Sequence, residues 1–88
     1  MRIDLFTSAF CAPCAGARRV VAEAVRLVPG LEAREIDVAA RPDEVEALGI
    51  RSTPTIRISD DQGREVFRSP GVPQRDQLLV ALAGALRH

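Results

Sequence analysis

The chain has 88 residues, with 12 cations balanced by 12 Asp and Glu, 47% hydrophobic residues and only 3% aromatics. That length is expected to hold one domain, residues 1–88, and the even charge excludes the basic footprint of a nucleic-acid binder or a polybasic membrane patch. Every cation is Arg, so no mechanism here can rest on a lysine, and the core has to be built from Val, Ile, Leu and Ala.

The opening Arg2-Ile3-Asp4-Leu5-Phe6 is too short and too polar for a signal-peptide apolar region. No apolar run approaches the roughly 18 residues of a membrane span. A soluble, cytoplasmic monomer is therefore expected. Ile3, Leu5 and Phe6 read as a first strand, and Thr7 to Phe10 as a loop leading into Cys11. From Cys14 onward Ala17, Val20, Val21, Ala24, Val25 and Val28 recur at the spacing of one helix face, until Pro29-Gly30 ends the pattern.

Leu31 to Val38 reads as a second strand. Pro42 opens a helix of one to two turns, with Asp43 and Glu44 where the dipole favours acids and Gly49 as its stop. Thr55 to Ser59 alternates Ile56 and Ile58 with polar residues, Asp60-Asp61-Gln62-Gly63 is a turn, and Glu65 to Arg68 returns as the other arm of a hairpin. After Ser69-Pro70-Gly71, a last amphipathic helix runs from about Gln74 to Leu86. The order βαβαββα predicts an α/β fold with a mixed four-stranded sheet and helices on both faces.

Two cysteines occur, in Cys11-Ala12-Pro13-Cys14. Their spacing alone is compatible with half a zinc site, a structural disulfide or two inert core thiols. A zinc site needs about four ligands, and the remaining candidates are His88 at the C-terminus and scattered carboxylates. A disulfide closing so short a loop constrains the unfolded chain little. The place of the pair, between a predicted strand and a predicted helix, favours redox chemistry, because unpaired N–H groups and the positive dipole end at a helix start stabilise a thiolate. Cys11 at the exposed end of the turn gains most; Cys14, one turn in, is expected to be covered.

A second motif, Gly49-Ile50-Arg51-Ser52-Thr53-Pro54-Thr55, closely resembles the cis-proline loop of thioredoxins. The resemblance runs in the family's order from Ile3 through the cysteine pair, Ile36-Asp37 and Pro54 to Gly71 and Leu78. Pro13 immediately before the second cysteine is similar to thioredoxins, whereas dithiol glutaredoxins place proline after the first. The glutaredoxin Gly-Gly and acidic cluster is replaced by Ser69-Pro70-Gly71-Val72. The chain's brevity is glutaredoxin-like.

The resemblance implies a compact thioredoxin fold, a redox-active Cys11–Cys14 disulfide, and a cis Thr53-Pro54 peptide beside it. It also implies a substrate-binding surface of Phe10, Ala12, Pro13, Thr53, Pro54 and Gly71. No bound cofactor or metal is implied. An external electron donor is, either thioredoxin reductase or glutathione, and the partners are disulfide-containing proteins. Cys11 would attack and Cys14 resolve; glutathione-linked exchange and a non-catalytic adaptor or electron relay are the alternatives.

Three positions depart from the family. Leu5 stands where thioredoxins carry a buried Asp, Ala33 where they carry a Lys, and Phe10 where they carry a Trp. The usual proton acceptor for the second thiol is therefore missing, and Asp4, its neighbour on the strand, points to the opposite face. Arg18, four residues past Cys14, is placed either to add positive potential near the thiols or to be solvated.

Overall fold

A computed structural model describes residues 1–86 of the chain, so His88 lies outside the described residues. The elements follow the expected order: β1 (Arg2–Thr7), α1 (Ala12–Leu27), β2 (Glu32–Asp37), α2 (Pro42–Leu48), β3 (Thr55–Ser59), β4 (Glu65–Pro70) and α3 (Arg75–Leu86). They form one mixed sheet in the order β2-β1-β3-β4. β1 runs parallel to β2 and antiparallel to β3, and β4 completes the hairpin.

α1 begins at Ala12, two residues ahead of the expected start at Cys14. Proline is tolerated in a first helical turn, where its missing N–H has no intrahelical partner to lose. Pro13 therefore sits inside the helix and Cys11 becomes its N-cap. At the other end the helix stops at Leu27, with Val28 extended and its N–H donated to the Ala24 carbonyl. α2 closes on Gly49, whose φ of 68° is left-handed and whose N–H reaches the last-turn carbonyls; a residue with a Cβ would be strained there.

Two clusters divide the interior. Ile3, Leu5, Ile56 and Ile58 face α1 and α3, meeting Ala17, Val21, Ala24, Leu78 and Leu82. On the other face Phe6, Ile36 and Ile50 pack with Val38, Val45 and Leu48 under α2. The buried stripe of α1 is narrower than its periodicity suggested, because Val25 lies at the flank and is partly exposed.

β3 spans the expected Thr55–Ser59 but is buried more deeply than alternation alone conveys. Alternation of Ile56 and Ile58 with polar residues suggests one wet face, yet all five residues are buried. β3 lies inside the sheet next to β1, and α2 covers only the end of the second face nearest Phe6. The rest of that face is closed by an ionic layer around Asp4, which is 0% exposed. Arg34 Nε donates to its carboxylate at 2.9 Å and Arg57 Nη1 at 3.3 Å. Arg2 Nε sits 3.0 Å from it without hydrogen-bond geometry. Glu44 takes a second bond from Arg34, while Glu65 and Ser59 take further bonds from Arg57.

Glu35, Asp60 and Glu65 make stability depend on pH. Glu35 is held below the usual carboxylate range first by its hydrogen bond from Arg18, Asp60 first by the Arg64 backbone N–H, and Glu65 first by Arg68. Each carboxyl binds its proton less tightly folded than unfolded, so the unfolded chain takes up more protons as the medium acidifies. The stabilisation is present above the unfolded carboxyl values of about 4 and is lost as pH falls through the lower folded ones. Urea midpoints are expected to be level between about pH 6 and 7 and to drop from about pH 5 to pH 3. A midpoint that rises on acidification would contradict this assignment.

Candidate redox site

β1 delivers the chain to the site. Thr7 ends the strand, buried on the α1 side, and Ser8 to Phe10 turn away from the sheet before Cys11 caps α1. Phe10 turns with a φ of 59°, the left-handed region that residues with a Cβ adopt at a cost of about 1–2 kcal/mol. Its ring is fully exposed, so it forms an apolar prow beside the first cysteine.

Cys11 and Cys14 are joined as a disulfide with their Cα atoms 5.4 Å apart. Cys11 is partly exposed, whereas Cys14 is 0% exposed beneath the first turn of α1. The Cys14 N–H donates to the Cys11 carbonyl at 3.2 Å. No side chain caps this helix start, so the positive end of its dipole is left to stabilise a thiolate at Cys11 when the pair is reduced. Ala12 and Pro13, on the exposed first turn, bring no charge near either sulfur.

The second motif arrives from the far side. Thr53–Pro54 is a cis peptide bond, with Pro54 buried just before β3. The Pro54 carbonyl accepts the Gly71 N–H at 2.7 Å, and Thr55 Oγ1 donates to the Ser52 carbonyl at 2.7 Å. Gly71 itself has a φ of 93°, at the end of β4, where no side chain covers it. The backbone N–H and C=O of Thr53 take no part in the backbone hydrogen bonds of the described residues.

Around the pair, the departures noted in the sequence have structural counterparts. Leu5 is buried and Ala33 exposed; both line an apolar cleft of about 380 Å³ between α1 and β2. Asp4 is turned to the other face and committed to its arginines. Leu5's register partner on β2 is Glu35, which takes a two-bond clasp from Arg18 at 2.9 Å each and a third bond from Thr7 at 3.2 Å. Arg18 is thus neither simply solvated nor an unpaired cation. Its hydrogen bond holds the Glu35 carboxyl below the usual carboxylate range, the opposite of what a proton acceptor for a thiol requires.

Ser8 belongs to no motif legible in the sequence. Its hydroxyl lies 2.6 Å from that of Thr53, across a separation no local pattern encodes. The register of β1 against β3, with Phe6 opposite Thr55, brings the two loops side by side. Among the described residues no group of three or more His, Cys, Asp or Glu is arranged to hold a metal. None of their helices is long and apolar enough to cross a membrane.

No family model matches the chain. A thioredoxin of Methanocaldococcus jannaschii is 34% identical over 83 residues, 93% of this chain and 92% of that protein. A thioredoxin of Chlamydia muridarum is 31% identical over 81 residues, 92% of this chain and 78% of its own length. Thioredoxin 1 of Thermosipho africanus superposes with a TM-score of 0.84 at 18% identity, covering 99% of this chain and 96% of that one. Chloroplastic thioredoxin z does so with a TM-score of 0.84 at 24% identity, over 99% and 79%. These two structural likenesses concern the fold alone.

Proposed function

The chain belongs to the thioredoxin family and is a thiol-disulfide oxidoreductase, and on that premise we propose that it reduces protein disulfides, with Cys11 attacking and Cys14 resolving. The observation that carries the division of labour is the difference in burial, Cys11 partly exposed at the helix cap and Cys14 fully covered. A substrate sulfur can reach the first and not the second.

In the reduced protein the Cys11 thiolate attacks one sulfur of the substrate disulfide. A mixed disulfide forms and the other substrate sulfur leaves as a thiolate. Cys14 then attacks the Cys11 sulfur, which expels the second substrate thiolate, and the protein returns to the Cys11–Cys14 disulfide. Two electrons have passed to the substrate, and an external dithiol system must return them; thioredoxin reductase and glutathione are the two candidate donors. Thr53 supports the docking half of this reading, because its unpaired backbone groups suit an extended substrate segment laid alongside. Phe10, Ala12, Pro13, Pro54 and Gly71 complete the surface. The protein would act as a monomer in a reducing compartment such as the cytoplasm.

Reduction as the working direction is tested by the potential of the pair. Thioredoxins sit near about −270 mV and strong oxidants near about −120 mV. The uncharged Ala12-Pro13 turn adds no cation to favour the dithiolate side, so equilibration with glutathione buffers is expected to give a value below about −200 mV. A value above about −180 mV would make the protein an oxidant instead.

A further inference from the structure

We propose that Ser8 is a positioning residue for protein substrates: its hydroxyl bond to Thr53 fixes the spacing between the attacking sulfur and the backbone on which the substrate is laid. The inference rests on the dithiol exchange above and adds to it a residue outside the cysteine and proline motifs. The two halves of the site come from loops far apart in sequence, residues 8–11 and 51–54. The Ser8–Thr53 bond of 2.6 Å joins them directly. Among the described residues Ala9 and Phe10 add no backbone hydrogen bond across to a neighbouring element, so the turn that carries Cys11 is tied to the proline loop at Ser8.

Ser8 also stands where two depressions meet. One, of about 550 Å³, runs past Phe10, Cys11 and Arg18. The other, of about 300 Å³, is floored by Val38, Val45 and Ile50 and ends at Thr53. A polypeptide crossing from one to the other passes over the hydroxyl pair. Such a chain pairs its backbone with Thr53 while presenting a sulfur to Cys11, and both contacts are satisfied together only at one loop spacing. A small disulfide uses Cys11 alone and is indifferent to it.

The experiment compares insulin, as a protein disulfide, with bis(2-hydroxyethyl) disulfide, using dithiothreitol as the electron source. Ser8→Ala is expected to raise KM for insulin about fivefold, the weight of one ordinary hydrogen bond, with kcat, the potential of the pair and the rate on the small disulfide unchanged. Thr53→Val, which removes the other hydroxyl at constant shape, should raise KM for insulin by a similar factor, and the double variant should be no worse than either. Ser8→Thr, which keeps a hydroxyl, should restore KM. Equal losses on both substrates, no loss on either, or effects that multiply in the double variant would overturn the proposal. If Cys11→Ser still reduces either disulfide, the exchange reading itself fails, whatever Ser8 does.

Discussion

Replacing Cys14 by Ser is expected to give a protein that attacks once and stops, held to its substrate by a disulfide from Cys11. In the proposed exchange the covered sulfur releases the product, and without it the mixed disulfide has no neighbour able to displace the substrate thiol. The adduct should survive non-reducing electrophoresis and dissolve on adding dithiothreitol. Replacing Cys11 by Ser should instead leave no adduct and lower turnover by about a thousandfold or more, since a buried Cys14 presents no sulfur to a protein substrate. The reverse pattern, adducts with Cys11→Ser and none with Cys14→Ser, would exchange the two roles.

The second large effect lies on the opposite face of the sheet. Asp4→Ala should destabilise the protein by about 3–5 kcal/mol, the usual penalty for removing one partner of a buried ionic group. Asp4 has no exposed surface and meets Arg2, Arg34 and Arg57. The side chain of Arg57, at 11% exposed, would keep Glu65 but lose its deepest counter-charge. Replacing Asp4 by Leu together with Arg57 by Met removes both charges and should recover much of the loss, because a matched apolar pair avoids stranding an ion. Urea unfolding measures both variants. A single variant within about 1 kcal/mol of the parent would mean that the layer is solvated and adds little.

This layer marks the limit of what the sequence revealed. Apolar spacing was enough to place β1, α1, β3 and α3, and turn residues such as Pro42, Gly49 and Asp60-Gly63 marked the joints. The cysteine pair and the Thr53-Pro54 segment were legible because their chemistry is local. Asp4 was read only as pointing to the face opposite Leu5, and Arg57 was passed over as one of the polar residues between Ile56 and Ile58. Their meeting depends on Asp4 and Arg57 standing opposite each other across two strands, and a pairing register is not written in either strand alone. Ser8 escaped notice for the same reason. Helix capping shows a smaller version: periodicity begins at the first buried residue, Cys14, and so misses the turn that Pro13 and Ala12 add in front of it.

The burial of β1 and β3 on both sides has a consequence for how motion is distributed over the site. Amides in such inner strands exchange with solvent only through the largest openings of the molecule, whereas edge strands open locally and at lower cost. The turn bearing Cys11 is suspended from β1, and Pro54 enters β3, so both hang from the slowest-opening part of the sheet. Gly71 directly follows β4, an edge strand, and is latched to Pro54 by one backbone bond. The turn bearing Cys11 is therefore hung from an inner strand, and Gly71 from an edge strand that opens more readily.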